Sequence, residues 1–208
     1  MSTGRLEAFS DGVFAVAITL LVLDIHPPPD AGNASELWRR LGDLWPHYAA
    51  YLVSFLVIGI VWVNHHAVME LIADVDRQFA FLNLLLLMAV ALIPFATAVL
   101  ADYLAAGGGP AHAAAAAYSG VISLMGVAFG AIWIYASRGG RLLVAGFPHE
   151  ELPRITRHFV VGTPIYLMTI GVAFLSAPLC LAMHATLAIY YALSRRGGGM
   201  ARPEGLPR

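Results

Sequence analysis

Arg5, Glu7, Ser10 and Asp11 crowd the start of a long apolar stretch, RLEAFSDGVFAVAITLLVLDI at residues 5–25. Trp62, Asn64, His65 and His66 close the apolar stretch that follows. Carboxylates and imidazoles set against hydrocarbon could pass protons from group to group. They could equally bind a permeating cation, or clamp one helix to the next. A resident metal suits them least. His65 and His66 diverge by about 100° on a helix, and no cysteine or carboxylate pair completes a ligand set. The lone Cys180 lies in an apolar run, which excludes a disulfide within the chain.

The segments that carry these groups belong to a membrane. Hydrophobic residues make up 59% of the 208, charged residues only 12%, and the mean hydropathy is +0.73. Soluble domains do not reach those values, whereas chains that cross a bilayer several times do. A net charge of −1 argues against a nucleic-acid partner. A cleaved leader peptide fits the N-terminus poorly. Glu7 and Asp11 interrupt its head, and the apolar run ends in Asp24-Ile25-His26-Pro27-Pro28-Pro29 rather than a small-residue cleavage site.

Six apolar stretches, at 5–25, 46–66, 79–101, 112–136, 158–176 and 178–194, predict an all-α integral membrane chain of six transmembrane helices. Ser176-Ala177-Pro178 separates the last two, because proline favours a break there. Residues 1–196 read as one membrane domain. Residues 197–208, GGGMARPEGLPR, have no means of packing and read as a disordered tail. All 12 basic residues are arginine, and only Arg39 and Arg40 fall in a loop of the other parity. The excess of arginine on one side places both termini in the cytoplasm. Loop 26–45 then lies outside, with a short surface helix over Glu36–Asp43, and Gly107–Pro110 makes an outer turn.

The first helix is the anomaly. Only about a dozen uncharged residues separate Asp11 from Asp24, and at ~1.5 Å each they fall short of a ~30 Å hydrocarbon core. A span so charged at its entrance suits the inside of a bundle better than lipid. On a helical wheel Thr19, Leu20 and Leu23 fall within about 60° of Val16, and Phe9 and Gly12 within about 40°. The stripe is apolar with one hydroxyl. The other faces are equally apolar, so periodicity leaves both ordinary packing and the lining of a path open. Ser10 and Asp11 point away from the stripe and need partners at low dielectric. Arg5, Trp62, Asn64, His65 and His66 offer donors at that depth. A hydrogen-bonded clamp fixing helix 1 against helix 2 is therefore favoured over ion binding.

Arg5-Leu6-Glu7-Ala8-Phe9-Ser10-Asp11 resembles the RxxxFSD signature of the transmembrane protein 175 family of potassium channels. Arg5, Phe9, Ser10 and Asp11 occupy its motif positions. GVFAVAITLLVLDI resembles the first-helix continuation of prokaryotic members, and Trp62-Val63-Asn64-His65-His66 extends the likeness. The resemblance implies a homotetramer in which four copies of helix 1 surround the ion path. Rings of bulky apolar side chains there replace a carbonyl filter and gate by dewetting. The family's ring positions fall on Val16, Leu20 and Leu23, and Thr19 falls on the hydroxyl layer linked to potassium preference. Val16 is smaller than the isoleucine expected there, which widens the innermost ring.

The expected function is thus a potassium-selective or weakly selective cation channel of a bacterial plasma membrane. It has no catalytic chemistry and no cofactor beyond the permeating ion. A competing class is a proton-conducting or proton-coupled protein that uses Asp11 and buried histidines. An intramembrane enzyme would need a nucleophile–base or metal constellation at one depth, and the sequence offers none. Asn83 and Thr97 are expected to bond neighbouring helices, His184 to be an interior hydrogen-bonded histidine, and Pro94, Pro164 and Pro178 to mark kinks or turns.

Overall fold

The computed structural model describes residues 2–160 and 162–193, the side chains of His158 and Val160 excepted. Helix α1 (Thr3–Leu20) runs into a 3-10 turn at Leu21–Asp24. It is followed by α2 (Ala34–Asp43), α3 (Trp45–Glu70), α4 (Arg77–Leu104) and α5 (Gly108–Ser137). Then come α6 (Leu152–Val160), α7 (Gly162–Ala173) and α8 (Ala177–Leu193). The expected tail, residues 197–208, lies outside the described residues.

Among the described residues four helical segments are long and apolar enough to cross a bilayer: Thr3–Asp24, Trp45–Glu70, Arg77–Leu104 and Gly108–Gly140. The stretches expected as spans at 158–176 and 178–194 hold shorter helices. Of these, α7 has 12 residues and α8 has 17. Their separation falls at the expected place. The Ser176 hydroxyl accepts the Leu179 N–H at 3.3 Å as a cap, and Pro178 sits in the first turn of α8, where its missing N–H costs nothing. Pro94, by contrast, is buried within a continuous α4.

Local chemistry sets the other boundaries. Asn33 caps α2 by accepting the Glu36 N–H at 2.9 Å, and Asp76 caps α4 by accepting that of Phe79 at 2.8 Å. The turn from α4 to α5 runs through Gly107 and Gly108 at φ of 68° and 63°, a left-handed conformation that a side chain would strain. That turn lets α4 and α5 pack as an antiparallel pair over buried small residues, among them Ala89 and Ala96 on one helix and Ala115 and Ala128 on the other. At mid-depth the Ser54 hydroxyl of α3 lies 2.8 Å from Thr97 of α4 and 3.0 Å from Tyr118 of α5. Because Thr97 donates to the Ile93 carbonyl at 2.7 Å, the chain of donors runs Tyr118 to Ser54 to Thr97. Three helices are thereby tied without a free hydroxyl hydrogen.

At the end of the bundle where α1 begins, the connections 71–76 and 141–147 join as a short antiparallel bridge. Ala73 N–H donates to Leu142 O at 2.9 Å, and Val144 N–H to Leu71 O at 3.0 Å. Thr3 Oγ1 donates to Ala73 O at 3.1 Å, which fastens the start of α1 to this bridge. Asp76 also accepts the Tyr135 hydroxyl at 2.6 Å and the Arg141 guanidinium at 3.0 Å. The opposite end is closed by His47 of α3 and Asp102 of α4, 3.2 Å apart.

The Phe79 N–H, the Tyr135 hydroxyl and Arg141 hold the Asp76 carboxyl below its ordinary value of 3.8. A carboxyl depressed in this way stabilises the fold while ionised. Its contribution is complete above pH 3.8 and is lost as the pH falls through the lower folded-state value. Asp76→Asn should therefore lower the thermal midpoint in detergent at pH 7. The gap to the parent should close on acidification below that range; a pH-independent gap would refute the charge-based account.

Candidate functional site

The two sides of α1 have different surroundings. Leu6, Ser10, Phe14, Ala17 and Leu21, at steps of three and four, are buried against α3 and α4. On the other side Phe9, Val16, Thr19, Leu20 and Leu23 stand exposed, Val16 by 57% and Leu23 by 66%. Only 28% of the apolar stretch of this helix is buried, against 56% for α4 and α5. Ala8, Phe9, Gly12, Val16 and Leu20, with Ala91 of α4, bound an open groove of about 510 Å³.

A buried polar chain fixes this division. Ser10 Oγ donates to the Leu6 carbonyl at 2.8 Å and accepts from Asn83 Nδ2 at 2.9 Å. Asn83 Oδ1 accepts from His65 Nε2 at 2.8 Å. Ser10, Asn83 and His65 are each almost wholly buried, and the three join α1, α4 and α3. The Phe14 ring packs on His65 with centroids 5.5 Å apart. One turn away, Trp62 Nε1 donates to the Asp11 carboxylate at 2.9 Å. At the mouth His66 Nδ1 lies 2.8 Å from Glu7, and its Nε2 lies 3.8 Å from Glu70.

Of the residues expected in a clamp, the structure brings together Ser10 with His65, through Asn83, and Asp11 with Trp62. His66 meets Glu7. Arg5 is exposed and stands apart from this network, and Phe9 projects from the opposite side of the helix. Asn64 is turned away by about one residue of helical rotation and lines a cleft with Met125, Phe129 and Tyr166, between α3, α5 and α7. The partner that sequence reasoning assigned only in general terms is Asn83. Its signal was a lone amide in the apolar run of α4, two turns after the Asp76 cap.

Chemically this arrangement holds rather than reacts. The Ser10 proton is committed to a backbone carbonyl, and the Asn83 amide stands between the hydroxyl and the imidazole, so no base addresses the hydroxyl. His184 belongs to a separate cluster on α7 and α8, 2.9 Å from the Cys180 carbonyl and 3.3 Å from the Thr169 hydroxyl. Among the described residues no three His, Cys, Asp or Glu side chains are placed to hold a metal ion. Thr19 faces the open side while its hydroxyl donates back toward the Ala15 and Val16 carbonyls, each at 2.9 Å.

Comparison with known proteins agrees in sequence and in fold. Residues 5–94 match the family described as endosomal/lysosomal potassium channel TMEM175. A protein from Streptomyces collinus named a potassium channel is 53% identical over 196 residues, covering 93% of each chain. A potassium channel from Chamaesiphon minutus is 42% identical and covers 92% of this chain and 94% of its own. The bovine protein named an endosomal/lysosomal proton channel is 39% identical over 103 residues, about half of this chain and 22% of its own length. Among solved structures, the crystal structure of a lysosomal potassium-selective channel TMEM175 homologue from Chamaesiphon minutus superposes with a TM-score of 0.82 at 40% identity, covering 94% of this chain and 97% of its own. A buried serine face, an open apolar face and full-length similarity to such channels lead to one conclusion: the chain belongs to the TMEM175 channel family.

Proposed function

We propose that this chain forms a potassium-conducting channel of a bacterial plasma membrane, as a homotetramer in which four copies of α1 surround the ion path. The observation that carries this reading is the division of α1. One side is tied by Ser10 to Asn83 and His65, and on the other Val16, Thr19, Leu20 and Leu23 stand exposed on the protomer surface. A single α1 cannot enclose a path, so copies must meet through that side, and the groove beside Gly12 and Ala91 gives them room to approach. The segment ending at Ala173 and helix α8 complete six spans. At ~1.5 Å per residue α8 reaches about 26 Å, near the thickness of the hydrocarbon core. The arginines of residues 138–157 join Arg5 and Arg77 at the end where α1 starts, which supports placing that end and both termini in the cytoplasm.

In this arrangement Val16, Leu20 and Leu23 form successive apolar rings over roughly 11 Å of axis. Such rings exclude water when narrow and so gate without a moving plug. Thr19 lies between the first two. With its proton turned back to the helix backbone, its oxygen lone pairs are free to meet a partly dehydrated cation, and four of them form a layer that favours potassium. The Asn83 bridge and the Asp11–Trp62 bond set the rotational phase of α1 and so keep these side chains on the axis.

Proteoliposomes under opposed potassium and sodium gradients test the reading. The reversal potential should follow potassium. One that follows protons alone, as the names of the vertebrate relatives would suggest, or an absence of current, would overturn it. Leu20→Ala and Leu23→Ala should raise single-channel conductance, about tenfold for each ~1.4 kcal/mol removed from the barrier. Thr19→Ala should shift the reversal potential toward that of a non-selective pore with little loss of total current; unchanged selectivity would remove the hydroxyl layer from the account. Asn83→Leu leaves the His65 Nε2–H buried without its acceptor, at about 1–3 kcal/mol, and removes the donor to Ser10, whose own proton stays on the Leu6 carbonyl. Its thermal midpoint in detergent should fall, and the triple variant with Ser10→Ala and His65→Phe should recover most of the loss. No recovery would mean that Asn83 acts by shape alone.

A further inference from the structure

Helix α2 is tied to nothing that explains its pattern. Leu37, Trp38 and Leu41 fall on one side, within about 60° of Leu41, while Glu36, Arg39, Arg40 and Asp43 fall on the other. No residue of α2 is buried in the protomer, and Trp38 is 74% exposed. A ten-residue helix in water has no reason to sort its side chains this way, so something covers the apolar side.

Three observations identify the cover. The apolar side of α2 continues at Leu44 into the first turns of α3, where Trp45, Tyr48 and Leu52 are exposed on a helix long and apolar enough to span. Tryptophan and tyrosine gather where apolar chains meet headgroups, and here two tryptophans and a tyrosine lie within eleven residues. The polar side carries internally matched charge: Arg39 pairs with Asp43 at 3.1 Å, and Arg40 with Glu36. Arg40 also donates to the Pro29 carbonyl at 3.3 Å. Charges neutralised within the helix leave no electrostatic handle for a charged protein partner, whereas an uncharged apolar side suits a lipid boundary.

We infer that α2 is an interfacial helix that lies in the plane of the membrane, with Leu37, Trp38 and Leu41 seated at the boundary between phospholipid headgroups and acyl chains. The leaflet is the one at the end where α1 finishes and where His47 meets Asp102. Because α2 follows Leu23 and Asp24 by only nine intervening residues, it tethers the end of α1 to the bilayer surface. The inference rests on the chain lying in a bilayer and is independent of which ion passes.

Spin labels placed one at a time by Leu37→Cys, Trp38→Cys, Leu41→Cys, Ser35→Cys, Arg39→Cys and Asp43→Cys test it in phosphatidylcholine–phosphatidylglycerol proteoliposomes. The native Cys180 is buried, and unsubstituted protein serves as the labelling control. Collision with oxygen should exceed collision with a water-soluble nickel chelate at 37, 38 and 41, and the order should reverse at 35, 39 and 43. Preference for the nickel chelate at all six positions would place α2 in water. Shielding of 37, 38 and 41 from both reagents would mean that protein, a second copy of this chain above all, covers the face. Either result overturns the inference. Quenching of Trp fluorescence by brominated phosphatidylcholine, greater in the parent than in Trp38→Phe, checks the placement without a cysteine; equal quenching would contradict it. Ion flux measured on the same vesicles separates failure here from failure of the channel reading.

Discussion

An amide that cannot reach water decides how this molecule is put together. Asn83 is fully buried on α4, and its two ends need an acceptor and a donor at fixed positions. Ser10 of α1 and His65 of α3 supply them at 2.9 and 2.8 Å. A polar group left unpaired in such a place costs several times what a surface hydrogen bond returns. The three helices therefore have few alternative registers. Rotating α1 by one residue would move Ser10 about 100° from the amide and leave the buried Asn83 Nδ2 without its acceptor. The phase of α1, and with it the identity of the side that stays open, follows from this one constraint.

The second tie of the same helix works at its end. Thr3 is bonded to the connection that carries Ala73, and that connection is bridged to residues 142–144. Asp76 sits at the junction, capping α4 while holding Tyr135 and Arg141 of the α5 end. The polar clusters at mid-depth and at this end thus act together. One sets the rotation of α1 and the other sets its axial position. Between them the apolar contacts of Leu6, Phe14, Ala17 and Leu21 supply area but little orientation, since small shifts cost them little.

How far the sequence reveals this depends on the kind of signal. The all-α membrane class, the break before α8 and the short helix over Glu36–Asp43 are legible, because hydropathy, Pro178 and alternating charge report local chemistry. The start of α1 is legible in type but not in partner. Depth alone offers Trp62, His65 and His66 to Ser10 and Asp11 without assigning pairs; in the structure Asp11 meets Trp62, Ser10 meets Asn83, a residue 73 positions away, and His66 meets Glu7. Arg5 and Asn64 share the depth of the cluster but not its direction, and depth was all that spacing could give. The open side of α1 was not legible from periodicity, since every side of that helix is apolar; only the packing of α3 and α4 distinguishes one from another. The bridge between residues 71–76 and 141–147 left no trace in the sequence, as its bonds are made by backbone.

The central claim is that the open side of α1 faces the ions. Cysteine substitution along this helix in conducting proteoliposomes, followed by a water-soluble thiol reagent, addresses it directly. Modification should alter potassium current at Val16→Cys, Thr19→Cys, Leu20→Cys and Leu23→Cys, and leave it unchanged at Ala15→Cys, Ile18→Cys and Val22→Cys. Current that responds at 15, 18 and 22 and ignores the first four positions would contradict the account.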